Sequence, residues 1–231
     1  MSLVEFKNLS KSYGKKEVLK DISLTIDKGK IYGLLGPNGS GKTTMIKLMN
    51  DLLEPTSGKV LIHGEEPGIE SKRVISYLPE RTYLNMDMKV TELLTFFQDF
   101  YDDFDLKKAE KLLKKLKINK TDKLKTMSKG TKEKVQLIMV MSRKADLYVL
   151  DEPIGGVDPA SRDYILETIL SNFSEDASII ISTHLIADIE KILDQVIFIN
   201  HGKIVMNEDA DTIRNKKKTT IDKLFREEFK C

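Results

Sequence analysis

The sequence predicts an α/β fold whose mainly parallel sheet carries a helical insert, and three observations support this. Strand-like and helix-like patterns alternate in the first third of the chain and again after about residue 144. Between about Val90 and Met141 the pattern is helical throughout. A glycine-rich stretch, "GPNGSGKT" at 36–43, joins an apolar strand to a helix.

Taken in order, 3–9 and 18–26 alternate apolar and polar residues and read as an antiparallel strand pair. Residues 30–36, "KIYGLLG", are continuously apolar, as a strand buried on both faces requires. Residues 42–53 read as a helix burying Met45, Ile46, Leu48, Met49, Leu52 and Leu53. The turn "EPTSG" and the strand "KVLIHG" follow. In the insert, "VTELLTFFQDF" precedes "DLKKAEKLLKKLKI", where Leu106, Ala109, Leu112, Leu113 and Leu116 form an apolar stripe opposite lysines. "MSKGTKEKVQLIMVM" (127–141) then opens with Ser128 or Thr131 as a candidate N-cap, beside Gly130 and three lysines. Such an opening serves either a plain helix start or one that grips an anion, and the stretch alone does not decide. After it come the strand "ADLYVLDEP", a helix near 159–172, the strand "ASIIIS", a helix at 185–193, and strands "QVIFIN" and "KIVM". The tail holds the basic run "RNKKK" (214–218), either a solvated linker or a weak attraction to anionic lipid, and a short amphipathic helix.

The 231 residues suit one large domain, and 40% hydrophobic residues suffice for a core. A net charge of +2 gives no support to a dedicated nucleic-acid binder. The only cysteine, Cys231, excludes an internal disulfide framework and fits a reducing compartment. His63, His184 and His201 lack metal-ligand spacing. With no apolar leader at the start and no run of roughly 18 apolar residues, the expectation is a soluble chain.

"GPNGSGKT" has the form of a P-loop. Gly36, Gly39 and Gly41, with Asn38 and Ser40 between them, let backbone N–H groups face phosphate oxygens at a helix N-terminus. Lys42 is suited to reach terminal phosphates, and the Thr43 hydroxyl to ligate Mg²⁺. "DLYVLDEP" ends a buried strand in two carboxylates, a costly arrangement unless a cation or proton is near. Beside a P-loop, Asp151 is suited to hold Mg²⁺ directly or through water, and Glu152 to orient or deprotonate an attacking water. His184, at the end of "IIISTH", stands at a strand end, where ligands of open α/β sheets collect.

With these motifs in this order, the chain resembles the nucleotide-binding domain of an ATP-binding cassette (ABC) transporter over almost its whole length. The resemblance implies Walker A at Gly36–Thr44, the signature motif at Ser128–Thr131, Walker B at Asp151 and Glu152, the D-loop at "GGVD" (155–158) and the switch histidine at His184. Tyr13 matches the aromatic residue that stacks on adenine, and Val18 its apolar neighbour. Two positions depart from the family pattern. The signature reads Ser128-Lys129-Gly130-Thr131 where Ser-Gly-Gly-Gln is usual, and Glu80 stands where the Q-loop glutamine is expected. Glu80 can still ligate Mg²⁺ or bind the attacking water, and "YLPE" is similar to cassettes of bacterial antibiotic and peptide exporters.

The same resemblance implies a P-loop NTPase domain in several parts: an antiparallel β part (1–30), a RecA-like core (31–89 and 144–206), a helical subdomain (90–143) and a tail (207–231). ATP and Mg²⁺ are the implied ligands. A head-to-tail dimer, homo- or heteromeric, would sandwich each ATP between one copy's Walker A and the other's Ser128, Gly130 and Thr131. Asp158 would communicate across that interface. Separate permease subunits would hold the protein at the inner face of the cell membrane, the aromatic run "TFFQDFYDDF" either packing the helical core or lining their docking groove. No specific nucleic-acid partner is expected. The alternatives are a soluble ABC ATPase acting on ribosomes or DNA, and a P-loop kinase.

Overall fold

The computed structural model describes residues 2–174 and 176–229; Cys231 lies outside the described residues. β1 (Ser2–Tyr13) and β2 (Lys16–Asp27) form the expected antiparallel pair, both longer than the alternation alone indicates. β3 (Ile31–Leu35) leads through the glycine-rich loop into α1 (Lys42–Met49). That helix ends four residues before the expected boundary. Asn50 caps it, donating its side-chain amide to the Ile46 carbonyl at 2.9 Å, and Asp51 enters the left-handed region at φ 55. Leu52, expected in the core, is therefore exposed.

β4 (Ser57–Ile62) lies within the segment assigned to the core, yet it pairs antiparallel with β1. The preceding turn directs it there: Lys11 Nζ donates to the Glu54 carbonyl, and the Thr56 N–H to that of Ser10. α2 (Ile69–Val74) and β5 (Ile75–Leu78) follow, two elements too short for their periodicity to stand out. Next come α3 (Val90–Phe100), α4 (Leu106–Lys115) and α5 (Lys129–Met141). The remainder comprises β6 (Leu147–Asp151), α6 (Pro159–Leu170), β7 (Ser178–Thr183), α7 (Ile186–Ile189), β8 (Gln195–Asn200), β9 (Lys203–Asp209) and α8 (Ile221–Phe229). The helix expected at 185–193 is short because it tightens into a 3₁₀ turn at Glu190–Ile192. The basic run at 214–218 is partly structured: Thr212–Lys216 is a π-helical turn, and Arg214 pairs with Asp211 and donates to the Glu190 and Leu193 carbonyls.

A six-stranded sheet runs β5-β6-β7-β3-β8-β9, parallel except for β9, beside a three-stranded antiparallel sheet β2-β1-β4. Alternation along the buried strands sends side chains to two cores. In β7, Ile179 and Ile181 face a core shared with α6, while Ile180 faces the core under α1 and the antiparallel sheet. α8 covers the first core, with Phe225 and Phe229 packed on Phe198 at centroid distances of 5.4 and 5.7 Å. Burial of one such ring contributes roughly 1.5–3 kcal/mol. A third core joins α3, α4 and the first half of α5. Val135, Ile138 and Met139 of α5 belong to this helical block, and Leu137, Val140 and Met141 to the sheet core, so α5 rivets the two together. The aromatic run divides: Phe97 and Phe104 are buried, whereas Phe96 and Phe100 stack on each other at 5.4 Å in the open.

Candidate active site

Parallel pairing brings the chemistry-bearing loops together. Leu78 pairs with Leu150, Asp151 with Ser182, and Leu35 with Thr183, so β5, β6, β7 and β3 end at one level. Just beyond those ends stand Glu80, Glu152, His184 and the glycine-rich loop, lining one cleft of about 1200 Å³. Asn38 through Thr44, Asp151 and Val18 complete the sequence-expected part of its wall.

The loop's glycines are dictated by space. A Cβ on Gly36 would sit 2.3 Å from the Ile199 carbonyl oxygen of the neighbouring strand. Gly41 opens α1 at φ 117, and a side chain there would meet Leu19 Cδ2 at 2.7 Å. Lys42 is buried and folds back, donating from Nζ to the Gly36 carbonyl at 2.7 Å and the Pro37 carbonyl at 3.2 Å. Burial pushes its pKa down, opposed by the charges of Glu152, Asp151 and Glu80. The Ser40 hydroxyl is buried without a hydrogen-bond partner.

Asp151 is 2% exposed. Its Oδ1 accepts from the Ser182 hydroxyl at 2.5 Å, while Oδ2 is buried with no hydrogen-bond partner. Burial pushes this carboxyl above its ordinary value; Ser182 and Thr43 lower it, and Glu152 and Glu80 push it further up. Thr43 stands close enough to favour the charged form, though outside hydrogen-bond geometry. An orphaned buried carboxylate oxygen beside a hydroxyl and a second carboxylate is a hard-donor set, which fits Mg²⁺.

Glu152 is held on three sides. Thr183 Oγ1 donates to its Oε2 at 3.1 Å, and His184 Nδ1 lies 3.1 and 3.0 Å from its two carboxylate oxygens. Its N–H donates to the Ser182 carbonyl at 2.8 Å. Its backbone is left-handed, at φ 52. For a residue other than glycine this costs of order 1 kcal/mol or more, and it aims the carboxylate into the cleft. Ser182 and Thr183 were missed by sequence reasoning. The signal was available in "ISTH", where two polar residues end an apolar strand beside the carboxylate strand.

Five expected residues stand apart from this cleft. Tyr13 is exposed, with the Lys11 ammonium 5.3 Å from its ring centroid. Ser128 caps α5, its Oγ accepting from the Thr131 N–H at 3.2 Å and lying 2.8 Å from Thr131 Oγ1. Space around Gly130 is open. Asp158 caps α6 by accepting from the Ser161 N–H at 3.0 Å, and that bond holds its carboxyl below the usual range. Thr131 shares the exposed turn with Ser128, whereas Lys129 and Lys132 reach the rim of the cleft.

Comparisons with known proteins identify the chain's relatives. The family described as "ABC transporter" matches residues 19–155. The chain is 33% identical over 219 residues to the ABC transporter ATP-binding protein YtrB of Bacillus subtilis, covering 93% of this chain and 74% of that protein. It is 32% identical to the lantibiotic transport ATP-binding protein SrtF of Streptococcus pyogenes, covering 92% of this chain and 93% of that one. A solved structure of an ATP binding subunit of an ABC transporter superposes with a TM-score of 0.88 at 28% identity, covering 98% of this chain and 99% of the other. The chain therefore belongs to the ABC transporter family, as one of its ATP-binding subunits.

Proposed function

We propose that this subunit hydrolyses ATP in a head-to-tail dimer and drives export of a peptide, antibiotic or lipid-like substrate through separate membrane subunits. One observation carries the reading: Lys42, Asp151, Glu152 and His184 line one cleft, while Ser128, Gly130 and Thr131 do not, although Lys129 and Lys132 beside them reach its rim. Such a division makes each copy supply half of two composite sites. Among the described residues no helix is long and apolar enough to cross a membrane. The substrate path then belongs to partner chains, and this subunit works at the cytoplasmic face. SrtF carries the words "lantibiotic transport" in its name, which supports a peptide-antibiotic substrate, and the carboxylate at Glu80 supports the export direction. The exposed Phe96–Phe100 stack supports docking of a permease segment on the helical block.

In this reading the glycine-rich loop cradles phosphate oxygens with its N–H groups, and Lys42 exchanges its loop carbonyls for them. Thr43 and Asp151 would hold Mg²⁺ with Glu80 as a further oxygen donor, and when bound it neutralises charge on the terminal phosphates. Glu152 orients the attacking water and takes up its proton, its carboxylate fixed by Thr183 and His184. His184, more than half exposed, is free to turn toward the γ-phosphate once Glu152 faces water. Asp158 at the head of α6 meets the partner copy across the dimer.

Glu152→Gln tests this directly. The variant is expected to bind ATP normally, lose turnover on the order of 100-fold or more, and accumulate as an ATP-dependent dimer on size exclusion. Undiminished hydrolysis would overturn the assignment.

A further inference from the structure

Helix α5 carries Ser128 at one end and Arg143 just past the other, about 20 Å away. The Arg143 side chain is 4% exposed, yet its guanidinium is fully partnered. Nη1 donates to the Ile75 carbonyl at 2.6 Å and the Lys72 carbonyl at 3.3 Å. Nη2 donates to the Arg73 carbonyl at 2.6 Å and to Asp103 Oδ2 at 3.1 Å, and Nε donates to Asp103 Oδ1 at 3.0 Å. The guanidinium carbon also lies 3.9 Å from the Tyr101 ring centroid.

These partners fall into two groups. Tyr101 and Asp103 lie in the α3–α4 connection of the helical block. The three carbonyls lie where α2 turns into β5, the strand that leads to Glu80 five residues beyond Ile75. One guanidinium thus touches both the helical block and the start of the strand that leads to Glu80.

We propose that Arg143 is a positioning residue, coupling the orientation of the helical block to the placement of Glu80 in the ATP cleft. The inference rests on the ATPase reading above. Stability alone is a poor account of the Asp103 pair, because burying an ion pair rarely improves on an apolar contact; its best-attested use is to fix one geometry. Ser76 Oγ also donates to the Val140 carbonyl of α5 at 2.9 Å, a second tie to β5, whereas the side-chain ties of α4 lead elsewhere. Lys115 pairs with Glu167 at 2.9 Å, and Lys108 donates to the Asn172 carbonyl, so both reach the region of α6 and neither touches a strand ending in a cleft residue.

The test compares Asp103→Asn, which keeps the buried carbonyls of the α2–β5 turn satisfied, with Arg143→Lys and with Lys115→Met as a control. All are assayed below their melting temperatures. Asp103→Asn and Arg143→Lys are expected to lower kcat about tenfold while the Kd for ATP stays within about twofold of wild type. Lys115→Met should move neither. In a Glu80→Gln background, Asp103→Asn should add less than about a twofold further loss. Wild-type kcat in Asp103→Asn, an equal loss in Lys115→Met, or full additivity with Glu80→Gln would each overturn the inference alone. A wild-type protein that fails to hydrolyse ATP would overturn the proposed function and this inference with it.

Discussion

The two regions proposed to meet phosphate are built on opposite principles. Around Asp151 the groups are buried, crowded and partly unsatisfied: an orphaned carboxylate oxygen, an orphaned Ser40 hydroxyl and a lysine held by carbonyls. Around Ser128 they are exposed and self-satisfied, the cap hydroxyl already engaged with Thr131. Lys129, Lys132 and Lys134 crowd the start of α5, where the helix dipole disfavours cations by about 0.3–1 kcal/mol each. The first region stores unmet bonding that a nucleotide and its cation relieve. The second holds positive charge that the Lys129–Glu133 pair at 3.8 Å meets only in part and that an arriving anion would relieve. The contrast supports the proposed site completed by a second copy of the chain.

The largest expected break in that contrast is Lys42→Met. It removes the one buried cation of the first region, so ATP affinity should fall on the order of 100-fold by titration calorimetry, with the fold retained by circular dichroism. Ser128→Arg sharpens it from the other side. ATP binding to the monomer should stay within about twofold while turnover falls on the order of 100-fold, because the space beside Gly130 is open in the chain and would be filled by the second copy of the proposed dimer. Equal damage to binding and turnover would place Ser128 in its own chain's site and remove the division of labour.

A smaller effect concerns stability and pH. The Asp151 carboxyl is raised by burial above 3.8, so the unfolded chain gives up its proton first as pH rises. The nucleotide-free protein therefore loses stability between 3.8 and the raised pKa, and the loss persists at neutral pH. Asp151→Asn should recover on the order of 1 kcal/mol at pH 7, about 2–4 °C in Tm, and should abolish the extra stabilisation that Mg²⁺ adds to ATP. An unchanged or lower Tm in scanning calorimetry would show that Ser182 already satisfies the carboxylate.

Much of the site was legible in the residues because its chemistry is local. The glycine spacing of 36–43 and the paired carboxylates at 151–152 each lie on one short loop, and a backbone that must approach phosphate leaves few choices. The long amphipathic helices were legible for a similar reason, since the stripe in α4 repeats often enough to be unambiguous. β5 and α2 were not, because four and six residues carry too little period. Nor was the end of α1, decided by the capping Asn50 and by Asp51, or the membership of β4, decided by the turn beneath β1.

By itself the sequence determined the α/β class, the phosphate loop, the acidic strand end and the order of motifs that marks the family, all consequences of short-range spacing. Only the tertiary structure decided that Ser182 and Thr183 hold the two carboxylates, that Phe96 and Phe100 stand exposed, and that Arg143 joins three distant segments. Those facts depend on contacts between residues from 31 to 71 positions apart and on which face of an element meets the core. Periodicity in a single chain cannot express either, because strand order and helix packing set them together.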